Sequence, residues 1–316
     1  FIASEGGNSI ATVTGASEKF PARAAALANG AISHALDYDD THFAYVGHPS
    51  VAIFPAALAA GEEVGASASD VCKAFLLGAE ASCRIGMILG RRHYDVGFHQ
   101  TSTSGCFGAT LAAARLYQLD RSALRAALGL ASTRASGLKS QFGTMGKPYN
   151  AGMAAANAIE VCGLARRGFT SASDGLGGPQ GFVQAHQPLH DDCEILMSQK
   201  ALPIFMFSDV RHKLHACCHG THSMIEALRT LVAEDNAVVK NLVCLTIRVN
   251  PRWLKVCDIK EPRTGLEVKF SYAFLAAMVL HNIDTTAFTS YNDSVCSDAE
   301  LVDTALKVKV VGDESI

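Results

Sequence analysis

Residues 151–167 read AGMAAANAIEVCGLARR. Alanine costs the least of any residue to hold in a helix, and the apolar positions of this run suit the 3.6-residue period of a helix with one buried face. Working outward, the same pattern returns in Lys19–His34, Val51–Val64, Ala68–Gly90, Gly105–Leu116 and Arg121–Ser136. Ser69 and Asp70 ahead of Val71, and Asp120 ahead of Arg121, are helix-start signals; Gly90, Gly137 and Gly168 are stops. So much alanine and glycine permits close helix–helix approach. Little strand alternation accompanies it, and the spacing predicts an all-α domain.

The pattern changes after Asp174–Gly181 (DGLGGPQG), whose four glycines and one proline predict a loop. Gly220–Ala233 and Glu267–Leu280 suit helices, whereas Val238–Asn250 (VVKNLVCLTIRVN) and Ala305–Val311 (ALKVKVV) suit strands. The expected fold is therefore mainly α: a large all-α helical domain over 1–204 and a smaller α+β domain over 205–316. The abrupt start at Phe1, without Met, and the end just past Val308–Val311 read as a piece of a longer protein, the second domain incomplete.

With 49% apolar and 18% charged residues, the 316-residue chain can bury a large core. A net charge of −3 provides no broad basic surface, so nucleic acid is not an expected partner. An anionic ligand would need positive charge placed locally. The richest apolar stretch, Val51–Ala60, contains Pro55 and falls short of the ~20 residues of a membrane span. There is no signal-peptide pattern. Ten cysteines without framework spacing read as reduced, buried small side chains, and the expected compartment is cytoplasmic.

Four segments concentrate chemistry. His34–Ser50, HALDYDDTHFAYVGHPS, packs three aspartates and three histidines into 17 residues, suiting either acid–base work or metal ligation. Gly97–Gly108, GFHQTSTSGCFG, sets His99 beside Ser102 and Ser104 ahead of a helix, where hydroxyls and free N–H groups suit an anion or simply cap the helix. Gly143–Gly152, GTMGKPYNAG, places Lys147 before Pro148, which favours extended backbone and a lysine facing a carboxylate. Arg211–His222, RHKLHACCHGTH, gathers four histidines, Cys217, Cys218 and Lys213, but adjacent cysteines do not match structural zinc spacing. Dinucleotide, P-loop, zinc-protease, nucleophile-elbow and iron–sulfur signatures are missing, so no cofactor and no metal are expected.

In order, the Asn29-Gly30 pair with HALDYDDTH and HPS, Gly78–Arg84 (GAEASCR), GFHQTSTSGCFGA, the Lys147 segment, Gly168-Phe169, the Lys213 segment and Lys269–Leu280 (KFSYAFLAAMVL) resemble the MmgE/PrpD family. The resemblance spans essentially the whole chain. It implies an all-helical and an α+β domain, a homodimer, a small polycarboxylate substrate and no metal. Asp37, Thr41, His48, His99, Lys147 and Lys213 match the family's active-site positions. The chain departs from the pattern at His215-Ala216-Cys217, where relatives carry an aromatic residue and Pro-Cys. It also has Trp253 and Lys255 near an expected tyrosine, and no acidic residue before the glycine turn in Asp174–Gly181.

The chemistry so implied is abstraction of a proton beside a carboxylate, or the equivalent carbanion formed by loss of CO₂. His48 and His99 would be base and acid, with Asp37 orienting a histidine. Lys147 and Lys213 would face the developing charge, and Thr41, Ser102 and Ser104 would bind substrate. Dehydration of a 2-methylcitrate-like acid is the first expectation, with epimerisation or decarboxylation of a related acid as alternatives. A metal protein using Cys217, His219 and His222 or the Asp37–His48 cluster, and a non-catalytic carboxylate binder, are the competing readings.

Overall fold

The computed structural model describes residues 1–186, 204–234 and 241–316. The chain divides into two units. Phe1–Ala35, Asp39–Ser140 and Gly146–His212 make the first; Leu36–Tyr38, Gln141–Met145 and Lys213–Ile316 make the second. The fold is mainly α, as expected.

The first unit carries α1 (Ala22–Ala35), α2 (Ser50–Val64), α3 (Ala68–Asp95), α4 (Gln100–Leu116), α5 (Arg121–Arg134), α6 (Gly146–Ala165) and the short α7 (Phe182–His186). Several ends follow local chemistry. Asp120 caps α5 by accepting from the Ala123 N–H, and Ser67 caps α3 by accepting from Asp70 N–H. The expected stop at Gly90 is a break inside α3: its φ of 65° is cheap only for glycine, and helix resumes to Asp95. The part read as wholly helical also holds a small antiparallel ladder, β1 (Ala11–Thr12) with β2 (Lys19–Phe20), pairing Ala11 with Phe20.

Two helices start earlier than their apolar pattern suggests. α4 begins at Gln100 rather than Gly105 because its first turns are polar yet buried, so periodicity is blind to them. Ser104 there returns its hydroxyl to the Gln100 carbonyl at 3.0 Å, the back-bond that satisfies a helical serine. α6 begins at Gly146, which puts Lys147 in the first helical turn and corrects the expectation of extended backbone. Pro148 costs little there, since first-turn N–H groups have no intrahelical acceptor.

Helix α1 packs on α6, α3 on α4, and α4 on α6. Two glycine pairs set the approach. A Cβ on Gly30 would lie 2.7 Å from Gly152 Cα, and one on Gly78 would lie 2.4 Å from the Gly108 carbonyl oxygen. The alanines between them, among them Ala24, Ala25, Ala56, Ala109, Ala112 and Ala155, are fully buried.

The second unit carries α8 (His222–Glu234), β3 (Leu245–Val249), α9 (Pro251–Cys257), α10 (Gly265–Val268), α11 (Tyr272–Leu280), α12 (Ala299–Leu306) and β4 (Val308–Gly312). β3 and β4 run parallel, Leu245 opposite Val308 and Ile247 opposite Val310, with the intervening helices as the crossover. The strand expected over 238–250 is shorter, and its residues 238–240 lie outside the described residues. The helix expected over 267–280 is two helices, because Ser271 takes extended backbone and restarts the helix by accepting from Phe274 N–H. Ala305 and Leu306, expected in a strand, end α12 instead. Among the described residues no helix is long and apolar enough to cross a membrane.

Candidate active site

His34, in the last turn of helix α1, is 1% exposed. Asp37 follows with φ of 52°, the left-handed backbone that aspartate tolerates. The chain re-enters the first unit at Asp39 and returns through an isolated bridge between His42 and Gly47 to Pro49 and α2. This excursion brings Asp39 against two imidazoles. Its Oδ2 lies 2.8 Å from His34 Nδ1 and 2.8 Å from His48 Nδ1. The His48 Nδ1 also lies 2.8 Å from the Asp40 carbonyl oxygen, and the His48 backbone N–H donates to Thr101 Oγ1 at 3.0 Å. Asp40 turns outward from the cluster and accepts from Ser50 N–H and Oγ–H at 3.2 and 2.5 Å, fastening the start of α2.

His99 completes the group from the residue before α4. Its ring stacks on His34 with centroids 5.7 Å apart, and the His34 and His48 rings meet edge-on at 4.7 Å. Asn150, in α6, donates from Nδ2 to His99 Nδ1 and to the Leu138 carbonyl, each at 3.2 Å. Lys147 lies one turn earlier on α6 and is buried.

Burial decides the protonation of this group. It drives His34 down to about 4, Asp39 opposing and Lys147 reinforcing the shift. It also pushes His99 well below the usual imidazole range, with His34 and Lys147 adding to the effect. Burial favours a neutral Asp39, but the two imidazoles outweigh it and hold the carboxyl well below its ordinary value. Near neutral pH Asp39 is thus a carboxylate beside a neutral His34, and His99 is neutral too, with the Lys147 charge felt by both imidazoles. Among the described residues, Asp39 Oδ1 and His34 Nε2 are buried without a hydrogen-bond partner, an arrangement that costs stability unless a ligand or proton transfer uses it.

The site residues expected from sequence fall in both units. Thr41, His48, Ser102, Ser104, His99 and Lys147 belong to the first; Asp37 and Lys213 belong to the second. Ser102 and Ser104 do not present loop hydroxyls. Both are buried in α4, Ser102 donating to the Asn150 carbonyl at 2.7 Å and Ser104 to Gln100. Thr41 pairs its backbone with Arg211 in a two-bond bridge of 2.8 and 2.7 Å. Asp37 forms a buried ion pair with Lys213, Nζ to Oδ1 3.0 Å, and its carbonyl also accepts from that ammonium at 2.8 Å. The histidine-orienting contact assigned to Asp37 is made by Asp39. Sequence reasoning missed His34 and Asp39, although both lie in the HALDYDD segment. Their spacing to His48 carries no signal until the chain has folded back.

In the Arg211–His222 segment, His215 and Cys217 are engaged within the second unit. His215 spends Nε2 on Glu226 and Nδ1 on Thr285, each at 2.8 Å, and Cys217 Sγ meets Thr221 Oγ1 at 3.2 Å. Among the described residues, His34, Asp39 and His48 are the group whose donor atoms lie close enough to hold an ion. There, however, His48 Nδ1 faces a carbonyl oxygen and must carry a hydrogen, so that nitrogen has no lone pair for a metal. A cleft of 520 Å³ reaches Asp39 and Asp40 past Phe54, Leu58 and Phe75; among the described residues no lysine or arginine lines it.

The MmgE/PrpD N-terminal domain matches residues 1–191, and the MmgE/PrpD C-terminal domain matches residues 215–316. A cis-aconitate decarboxylase of Aspergillus terreus is 32% identical over 322 residues, covering 94% of this chain and 65% of its own length. The cis-aconitate decarboxylase of Homo sapiens is 31% identical over 170 residues, 52% of this chain and 35% of its own. A cis-aconitate decarboxylase-like protein of Aspergillus oryzae is 29% identical over 70% of this chain and 48% of its own length. The chain thus spans under two thirds of the length of these relatives. With both of its domains matched in chain order, the chain belongs to the MmgE/PrpD family.

Proposed function

We propose that the chain is a cofactor-independent lyase acting on a small polycarboxylic acid, and that it decarboxylates an acid of the cis-aconitate type. The observation that carries this is the buried Lys147 beside imidazoles kept neutral, His34 and His99. A fixed ammonium in a water-poor site stabilises the charge that appears when a C–C or C–H bond beside a carboxylate breaks. Neutral imidazoles can accept or deliver the proton that completes the reaction. In decarboxylation the bond to one carboxylate breaks, CO₂ leaves, its electron pair spreads toward a remaining carboxylate, and a histidine returns one proton to carbon. The relatives that carry the name cis-aconitate decarboxylase support this outcome over dehydration. Dehydration of a 2-methylcitrate-like acid is the second reading: a histidine would take a C–H proton beside a carboxylate, and the resulting carbanion would expel hydroxide from the neighbouring carbon.

His48, His99 and Lys147 are the proposed reacting and charge-stabilising groups. Thr41 is proposed to hold a substrate carboxylate. The proposed assembly is a homodimer. The test is turnover of a panel containing cis-aconitate, citrate, 2-methylcitrate and iminodisuccinate, followed by proton NMR. A product with one fewer carboxylate supports the proposal; new olefinic signals from a hydroxy acid would favour dehydration. Lys147→Ala and His99→Ala should each lower turnover by at least about 100-fold with circular dichroism unchanged. Turnover retained in both would refute the site.

A further inference from the structure

We propose that Asp39 and Asn150 are positioning residues that lock His48 and His99 in opposite tautomers, so that His48 presents a lone pair and His99 presents the proton delivered to carbon. The roles rest on the lyase reading above; the tautomers do not.

The argument uses atoms that can only accept. His48 Nδ1 lies 2.8 Å from both the Asp40 carbonyl oxygen and Asp39 Oδ2. A carbonyl has no hydrogen to give, and Asp39 is held ionised, so the hydrogen between them belongs to the imidazole. His48 therefore carries Nδ1–H, and the neutral tautomer this selects has its lone pair on Nε2. Its side chain retains 15% exposure. His34 makes the same demand on Asp39, with Nδ1 2.8 Å from the same oxygen and no exposure of its side chain. The second imidazole fixes the carboxylate in place, as a partner behind a catalytic histidine should.

His99 is set the other way. Asn150 could in principle turn either end of its amide to the ring. The Leu138 carbonyl, 3.2 Å from the same Asn150 atom, accepts only and so identifies that atom as nitrogen. An amide nitrogen donates, so His99 Nδ1, also 3.2 Å away, must be the acceptor. A neutral imidazole with a bare Nδ1 carries its hydrogen on Nε2. Two like residues in one cluster thereby present a lone pair and a hydrogen respectively, the complementary pair that proton transfer requires.

Nitrogen-15 NMR of the full chain with labelled histidine reads this directly, without substrate. His48 should show a protonated-type Nδ1 and a lone-pair-type Nε2, and His99 the reverse. The same tautomer in both would overturn the proposal. In Asn150→Asp the new carboxylate can only accept, so the two His99 signals should exchange types. kcat should fall about 100-fold, at the lower end of acid–base contributions, with KM changed little. A purely structural asparagine would leave the signals in place. Opposite tautomers in a wild-type chain that turns over none of the acids would uphold this assignment and overturn the lyase reading. If the variant fails to fold, the wild-type spectrum still decides.

Discussion

At the scale of single residues, the charge on Lys147 matters through what it does to its neighbours. It helps depress the proton affinity of His34, which burial takes to about 4, and of His99. Lys147→Ala removes that charge, so both imidazoles should titrate at higher pH than in the wild type, a shift a histidine NMR titration would register. Turnover in the same variant should drop by about 10²–10³-fold, the usual effect of deleting one donor to a developing oxyanion. The sequence made the HALDYDD segment stand out but could not say which aspartate serves which histidine. The left-handed turn at Asp37 explains why: Asp37 pairs with Lys213, whereas two residues on Asp39 meets His34 and His48. His34 was hidden for another reason. A histidine ending an alanine-rich helix looks like any core histidine until its Nδ1 is found against a carboxylate.

At the scale of elements, helix positions were legible wherever an apolar stripe met a cap. Asp120 at α5 is the clearest case. They were less legible at the starts of α4 and α6, because Gln100–Ser104 and Lys147 are buried polar residues that hydrophobic periodicity cannot see. Those are also the turns that carry His99, Lys147 and Asn150, so sequence pattern fails where the chemistry sits. The packing of α1 on α6 and α3 on α4 depends on glycine contacts at Gly30–Gly152 and Gly78–Gly108. Because a Cβ on Gly78 would meet a backbone oxygen at 2.4 Å, the helices themselves must move. Gly78→Ala should cost about 1–3 kcal/mol and lower Tm. Gly163→Ala, whose nearest neighbour would be an arginine side-chain tip at 3.6 Å, should leave Tm unchanged or raise it.

At the scale of the whole molecule, several histidines are buried in their neutral forms. Burial holds His34 at about 4, and His93 and His222 at about 3. Between those values and the ordinary 6.5, the unfolded chain binds protons that the folded chain does not, so stability rises with pH across that window and falls on acidification. Thermal melts should show Tm dropping as pH is lowered from 6.5 toward 4, and His93→Gln should flatten part of that slope. A Tm independent of pH in this range would contradict the buried neutral assignment. The mainly α fold and the family were readable from alanine periodicity and motif order; which groups meet at the centre needed the folded chain.

The most direct test of the account is to incubate the chain with cis-aconitate in D₂O and follow both by NMR. The account predicts loss of one carboxylate as CO₂ and a single deuterium on carbon in the product, placed there by a histidine. Cis-aconitate recovered intact and unlabelled at high protein concentration would contradict it.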